Sequence, residues 1–453
     1  MVRKKKFTLS TTQIILLSFL VTIVVGSALL ALPISSASGK AVPYLDALFM
    51  ATTSTCVTGL VTIPTVSSWS VFGQIVILLL IQIGGLGIIT IMSGLMLLLN
   101  KKMGLSDRLL IQDAFNLNTM SGLAKFVKNV LFGTLIIEGI GAVLYMFVFI
   151  PKFGVEGIWI SIFNSVSAFC NAGIDIIAEN SLCNYATNPL INFVTSALII
   201  LGGLGYIVWW DVLRVVKSYL PKKRKIFKHL TLHSKIAITV TAVLIFVGAI
   251  LIFIFEYSNP LTIKNMSLFD KIQVSFFQSI TTSTAGFASI AQENLTNASA
   301  TISVILMMIG GSPVGTAGGM KTVTIAVLVS FALATIRNKN SATLFNRRIA
   351  EDSLKKAVAV AVTFITICAL STVLLMATNN TSALDAVYEA VSATATVGLS
   401  RNLTASLNTF GKLVIIITMY FGRVGPISLA VALGSKNQSQ NVISEPTEDI
   451  IIG

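Results

Sequence analysis

The chain has 453 residues, of which 54% are hydrophobic and only 11% are charged, whereas a soluble domain carries about 25% charged residues. This composition excludes a soluble enzyme and an intrinsically disordered chain. The 32 basic and 18 acidic residues give a net charge of +14, an excess that in membrane proteins collects in cytoplasmic loops. The composition therefore predicts a polytopic protein of the lipid bilayer, with no nucleic acid as partner.

Eight long apolar segments predict membrane spans, because about 20 apolar residues cross the hydrocarbon core. In chain order they cover residues 14–32, 71–99, 126–150, 190–216, 236–255, 301–336, 357–377 and 413–433. Four shorter apolar stretches lie between the two spans of each pair, at residues 44–55, 158–169, 268–282 and 384–394. They are too short to cross, so the predicted unit is a span, a re-entrant pore helix, a loop and a second span.

Lys and Arg are distributed unevenly between the two sides that these spans define. With the N-terminus inside, 24 of them lie on cytoplasmic segments, from the run 3–6 to Lys436, and only 6 lie outside. The remaining two, Lys321 and Arg423, fall within apolar segments. The positive-inside rule therefore predicts that both termini are cytoplasmic and that the pore helices enter from outside.

An internal repeat organises the chain. Each short apolar stretch leads into a loop of small residues with a glycine, and these glycines are 114, 113 and 112 residues apart: Gly59, Gly173, Gly286 and Gly398. Ten positions before each glycine stands an aromatic residue. Such a period marks tandem units, which we place at residues 1–100, 101–217, 218–340 and 341–453. The predicted fold is an all-α membrane protein with eight transmembrane helices and pseudo-fourfold symmetry around a central pore.

The four loops can face one another if the repeats close into a ring. Glycine tolerates positive φ, so the backbone can turn its carbonyl oxygens inward, and inward carbonyls can replace the water around a potassium ion. The pore helices point their partly negative C-terminal ends at the same axis. The predicted filter consists of each glycine and the residue before it: Thr58, Gly59, Ala172, Gly173, Ala285, Gly286, Val397 and Gly398.

The second span of the third repeat contains an unusual run. Residues 310–322 read Gly-Gly-Ser-Pro-Val-Gly-Thr-Ala-Gly-Gly-Met-Lys-Thr, and so many glycines with a proline cannot continue an α-helix. The run nearly matches a Walker A nucleotide loop, but Met320 stands where that motif needs a glycine, and the run lies within an apolar segment. We predict a broken transmembrane helix, in this repeat alone.

Two cations near this break complete a predicted gate. A lone cation at membrane depth is costly and normally faces a cavity or a partner. Arg423 follows Gly398 by 25 residues, which can bring it beneath the filter, where a guanidinium would repel an incoming cation. An arginine that only ties two helices together is the alternative. The predicted gate comprises Gly310, Gly311, Gly315, Gly318, Gly319, Lys321 and Arg423.

These motifs together resemble the Trk/Ktr/HKT superfamily of potassium transporters, over essentially the whole chain. The resemblance rests on the four glycine loops, the break in the third repeat and the Phe-Gly-Arg-Val-Gly-Pro run at 421–426. The short termini and the final Ser-Glu-Pro-Thr-Glu-Asp-Ile-Ile-Ile-Gly are most similar to the Ktr-type membrane subunits.

The resemblance implies potassium uptake across the plasma membrane of a bacterium, with potassium as substrate and no cofactor in this chain. It also implies a homodimer with one pore per protomer, bound on the cytoplasmic side by a nucleotide-sensing ring similar to KtrA or KtrC. We expect the basic segments 217–235 and 337–356 to dock this ring. In the family, serine in the first filter loop accompanies sodium permeation, so Gly59 favours potassium.

Two other classes fit the sequence less well. A membrane enzyme needs converging carboxylates, His or Cys at membrane depth, and only Glu138 lies well inside a span. A sodium- or proton-coupled carrier is often built from inverted repeats, whereas all four units here run in the same direction. The other glycines of the first two second spans fit helix packing and pore lining equally well: Gly84, Gly85, Gly87, Gly202, Gly203 and Gly205.

Overall fold

The computed structural model describes residues 10–99, 104–114, 122–219, 226–339 and 341–425. Several segments on which the sequence-based predictions depend lie outside these residues: the basic run 3–6, part of the basic segment 217–235, Pro426, Lys436 and the final ten residues.

The first two repeats follow the predicted order of a long helix, a short helix and a second span. The first contains α1 (Thr11–Leu30), α2 (Tyr44–Cys56), α3 (Thr65–Ser68), α4 (Val71–Leu86) and α5 (Ile88–Leu98). After α6 (Leu105–Ala114), the second contains α7 (Leu123–Phe153), α8 (Glu156–Cys170), α9 (Pro189–Gly203) and α10 (Tyr206–Tyr219). The short pore helices are α2 and α8.

The last two repeats have the same order. After α11 (Ile226–His229), the third contains α12 (Leu232–Glu256), α13 (Leu268–Thr281), α14 (Asn297–Met308) and α15 (Thr322–Ile336). A two-stranded hairpin of β1 (Thr343–Leu344) and β2 (Arg347–Arg348) leads to the fourth, with α16 (Glu351–Thr378), α17 (Ala383–Thr394), α18 (Leu403–Ser406) and α19 (Thr409–Val424). Here α13 and α17 are the pore helices.

Packing between repeats closes the four units into a ring. The second span of each repeat packs against the pore helix of the next: α4 against α8, α9 against α13, α14 against α17, and α19 back against α2. Because the last contact joins the fourth repeat to the first, the pore helices surround one axis. The predicted fold class, an all-α membrane protein of four repeats with pseudo-fourfold symmetry, is confirmed.

The eight crossings differ in how continuous they are. By length and composition, α1, α7, α12 and α16 can each cross a membrane alone. The pairs α4 with α5 and α9 with α10 pass the same test together, but are bent by 94° and 97°. Of the other two predicted crossings, one consists of the shorter apolar helices α14 and α15, and the other of the 16-residue α19.

The prediction that only the third repeat has a broken second span is wrong. Gly87 and Gly205, with φ of 85° and 89°, interrupt the second spans of the first two repeats, and Gly425 at 91° ends α19. Glycine adopts such angles without strain, and a residue with these angles cannot continue an α-helix. The third repeat is instead distinguished by the length of its break, which covers residues 309–321.

A polar N-cap starts each second span at the end of the bundle where the pore helices begin, called here the loop end. Ser70, Asn188, Thr296 and Asn408 accept hydrogen bonds from backbone N–H groups of the first helical turn. An N-cap of this kind stabilises a helix by about 1 kcal/mol. Four caps therefore fix the points at which the chain turns back into the bundle.

Candidate ion filter and gate

The four pore helices lead into loops with one shared backbone geometry. Two residues before each glycine the backbone is left-handed, with φ of 55° at Val57, 58° at Asn171, 66° at Thr284 and 52° at Thr396. The four glycines themselves have φ between 65° and 99°. Glycine meets this second requirement at no steric cost, which explains its presence in all four loops.

The loops meet in a closed ring. A Cβ atom placed on any of the four glycines would lie within 2.6 Å of the carbonyl oxygen that precedes the glycine of the next repeat. The pairs in chain order are Gly59 with Ala172, Gly173 with Ala285, Gly286 with Val397 and Gly398 with Thr58. The structure thus brings all eight predicted filter residues together around one axis, and the fourth repeat closes on the first.

Hydroxyl side chains hold the loops in this shape. In the first and fourth repeats, a hydroxyl oxygen accepts a hydrogen bond from the glycine N–H at 3.0 Å. In the second and third, the hydroxyl donates to the backbone carbonyl of the residue after the glycine. The four residues are Thr53, Ser167, Thr281 and Ser392. They are not among the predicted filter residues, although a hydroxyl six residues before the glycine in three repeats is a detectable signal.

A cavity of about 340 Å³ opens on the loop-end side of the ring, and all four glycines line it. Among the described residues, its charged lining consists of three acids, Asp175, Glu179 and Glu293. Burial raises the pKa of Asp175 to about 6, against the opposing effect of hydrogen bonds that include one from Ser181. A cavity whose described lining has acidic side chains and no basic one attracts cations to the ring.

Two basic side chains at the loop end are paired away from this cavity. Arg401 donates from Nε to Asp385 at 2.7 Å and from Nη1 to the Gln292 carbonyl at 3.1 Å. Lys412 Nζ lies 2.6 Å from Asp46 Oδ1. Both aspartates lie in the first turn of a pore helix. The two ion pairs neutralise cations that would otherwise oppose the negative potential of the cavity.

On the opposite side of the ring, the break of the third repeat forms a loop at residues 309–321, called here the intramembrane loop. Lys321 Nζ donates to the Ala317 carbonyl at 2.5 Å. Arg423 donates to the Thr316 carbonyl at 2.6 Å and to the Gly84 carbonyl at 2.5 Å. Arg423, at the end of α19, therefore connects the loop of the third repeat to the bend in the first.

The predicted gate residues divide into two groups. A cavity of about 360 Å³ beneath the ring is lined by Gly315, Gly318 and Gly319 together with Lys321 and Arg423. The other two, Gly310 and Gly311, line a smaller cavity near α12. The structure thus places five of the seven predicted gate residues around one space and separates two from it.

Glu138, the one acid predicted to lie well inside a span, makes contacts that join helices. Its Oε2 accepts a hydrogen bond from Gln82 Nε2 at 3.2 Å, and the Cys170 thiol lies 3.9 Å from Oε1. Ser165 donates to the Glu138 carbonyl at 2.6 Å. These contacts join α7 to α4 and to the pore helix α8. Within the described part of the chain, no three His, Cys, Asp or Glu residues form a group that could hold a metal ion.

Comparison with known proteins gives the family. A family model described as TrkH, cation transport protein, matches residues 3–444. The chain belongs to this family. It is 39% identical to the potassium/sodium uptake protein NtpJ of Enterococcus hirae, over 100% of this chain and 98% of that protein. It is 37% identical to the Ktr system potassium uptake protein B of Bacillus subtilis, over 97% of this chain and 96% of that protein.

A solved structure agrees on the fold. The crystal structure of the potassium transporter TrkH from Vibrio parahaemolyticus superposes with a TM-score of 0.74 at 17% identity, covering 95% of this chain and 86% of that one. The family model and the two relatives confirm the resemblance to the Trk/Ktr/HKT superfamily. As a member of the TrkH family, the chain is a membrane transporter and not an enzyme.

Proposed function

We propose that this chain is a potassium uptake pore whose filter is the ring of four glycine loops. The observation that carries the proposal is the closed ring itself, in which each filter glycine abuts a backbone carbonyl of the next repeat. Carbonyl oxygens in such a ring can replace the hydration shell of a monovalent cation. The acidic cavity on the loop-end side supplies the cations.

The relatives support potassium as the substrate. The proteins from E. hirae and B. subtilis are both named as potassium uptake proteins, and the first is also named for sodium. Selectivity between these two ions is therefore the property that defines the function of this chain. The coupled carrier is the alternative function, and it differs from the pore in requiring a fixed stoichiometry.

A liposome experiment tests the proposed function. With purified protein in liposomes, we expect passive uptake of radioactive rubidium, a potassium substitute, that potassium blocks more strongly than sodium does. The flux should run down its gradient without an added sodium or proton gradient. Equal block by the two ions would contradict the filter, and flux that requires a fixed number of sodium ions or protons would establish the carrier.

We further propose that the intramembrane loop and Arg423 form the gate of this pore. The loop lies directly beneath the ring, and Arg423 joins it to the first repeat by donating to the carbonyls of Thr316 and Gly84. The Arg423 side chain also lines the cavity on the proposed ion path. Lys321 adds a second basic side chain to the same cavity. A cation that arrives from the filter meets the Arg423 charge and the intramembrane loop in this position, so movement of the loop is required for passage.

We also propose an orientation and an assembly. The end opposite the loop end is cytoplasmic, both termini included, and the chain forms a homodimer bound there by a nucleotide-sensing ring. The support is the exposed basic surface around the β1–β2 hairpin, which includes Arg337, Arg347, Arg348, Lys355 and Lys356. The four repeats, with boundaries at residues 100, 217 and 340, then form one transport unit per protomer.

Neutralising this surface tests the docking proposal. We expect the double variant Arg347→Gln, Arg348→Gln to weaken binding of a purified Ktr-type regulatory ring about tenfold. The reason is that acidic groups on the ring lose two positive charges that complement them. The matched control is Lys40→Gln with Lys264→Gln, two exposed basic residues at the loop end, which should leave binding unchanged. Equal binding by both variants would leave the hairpin charges with a topological role only.

A further inference from the structure

Three of the four filter loops rest directly on the intramembrane loop. Each contact involves the left-handed residue two positions before the filter glycine. Thr316 Oγ1 lies 3.0 Å from Asn171 Oδ1, and Gly318 N–H donates to Thr284 Oγ1 at 3.1 Å. A Cβ atom on Gly318 would collide with the hydroxyl of Thr396. A segment of only three residues therefore supports the loops of the second, third and fourth repeats.

The residue two positions before the filter glycine is polar in the three repeats whose filter loops contact the intramembrane loop, and apolar in the first repeat. Asn171, Thr284 and Thr396 are polar and contact the intramembrane loop. The equivalent residue of the first repeat is the apolar Val57, which packs instead beside Gly84. The carbonyl of Gly84 is the one that Arg423 binds. Asn171 and Thr284 thus hydrogen-bond to the intramembrane loop, whereas Thr396 contacts it at Gly318 without a hydrogen bond.

The contact between Thr316 and Asn171 has a specific hydrogen-bond arrangement. Both residues are buried, and the Thr316 hydroxyl also lies 3.0 Å from the carbonyl of Phe169. A hydroxyl has one proton and donates to one of the two oxygens at a time. If the Asn171 amide is turned by 180°, Nδ2 donates to Thr316 Oγ1, and Thr316 donates to Phe169. This arrangement uses Nδ2, which otherwise has no partner although it is buried.

We propose that Thr316 is a positioning residue for the ion filter, so that the loop beneath the pore also fixes the geometry on which ion selectivity depends. The inference rests on the proposed function. The Thr316 hydroxyl contacts the Phe169 carbonyl near the end of α8 and the Asn171 side chain at the start of the second filter loop. The carbonyl of Thr316 accepts a hydrogen bond from Arg423. Displacement of the loop is transmitted to the filter through these bonds.

The test compares variants that keep the backbone. We expect Thr316→Val, which removes the hydroxyl, to lower the preference for potassium over sodium about tenfold, the equivalent of about 1.4 kcal/mol. Thr316→Ser restores the hydroxyl and should restore the preference. The matched control is Thr366→Val, the same exchange at an exposed position of α16, where the Thr366 hydroxyl donates to the Val362 carbonyl at 2.8 Å. The measurement is rubidium uptake into liposomes in competition with sodium.

A second variant keeps the test decisive if Thr316→Val does not fold. Asn171→Val introduces the residue type of Val57 and should lower the preference by a similar factor. The double variant should lose no more than Thr316→Val alone, because the bond that Asn171→Val removes is already absent in that variant. An unchanged preference in a folded Thr316→Val or Asn171→Val variant overturns the inference. If Gly398→Ser also leaves the preference unchanged, the proposed filter itself fails, and the two failures are thereby distinguished.

Discussion

Gly398→Ser is expected to lower the preference for potassium over sodium by roughly tenfold to a hundredfold. Gly398 has a φ of 95°, and a Cβ atom on it would collide with the carbonyl oxygen of Thr58. A side chain in such a backbone conformation costs about 1–3 kcal/mol, and the collision falls on an oxygen of the proposed filter. The ring must therefore open or tilt that carbonyl away from the axis. Gly59→Ser, at a φ of 99° against the carbonyl of Ala172, should act in the same way.

Competition of potassium and sodium for rubidium uptake measures this effect. Gly139→Ser is the matched control, because Gly139 lies in α7 and a Cβ atom on it would meet no other atom within 4 Å. It should retain the selectivity of the unmodified chain. If Gly398→Ser and Gly59→Ser insert normally and discriminate as well as the control, these glycines do not form the filter.

Arg423→Ala is expected to raise flux in the absence of the regulatory ring at least about tenfold. Its guanidinium donates to the carbonyls of Thr316, Gly84 and Gly85, at 2.6, 2.5 and 3.3 Å. A hydrogen bond from a charged donor contributes about 1.5–3 kcal/mol, so loss of these bonds releases the intramembrane loop from the bend in the first repeat. The positive charge on the ion path is lost at the same time.

Flux into liposomes with and without the regulatory ring separates a gate from a structural tie. Arg423→Lys keeps the charge but cannot bind two carbonyl groups through a planar fork, so we expect an intermediate basal flux. Removal of residues within 311–318 should raise the basal flux and weaken the response to the ring. If flux stays low and fully regulated in the alanine and deletion variants, the gate lies elsewhere. If Arg423→Ala only prevents insertion, Arg423 is a tie between helices.

The sequence predicted those parts of the fold that depend on local or periodic properties. The four pore helices begin and end within about three residues of the predicted short stretches, because length and hydrophobicity determine which segments cannot cross. Three of the four aromatic residues ten positions before the glycines, Phe49, Phe163 and Tyr388, are completely buried. The filter glycines were found because their spacing recurs and because positive φ restricts the residue type.

The remaining features depend on contacts between distant parts of the chain. A single glycine in an apolar segment costs a helix only about 1 kcal/mol, so nothing local distinguishes Gly87, where the span bends, from Gly139, where the helix continues. The three carbonyls bound by Arg423 come from the first and third repeats. Their convergence follows from the order in which the repeats close, and no spacing in the sequence encodes it.

The four filter loops belong to one covalent chain, and this has a consequence for how a pore can be controlled. In a channel of four identical subunits, every change in sequence appears in all four subunits. A segment inserted beneath the filter would therefore be present in four copies, and the space on the axis admits only one. Here the positions beneath the ring are occupied by Val57, Asn171, Thr284 and Thr396, four residues that can vary one by one. One repeat can supply a single obstruction while the other three shape the surface that receives it.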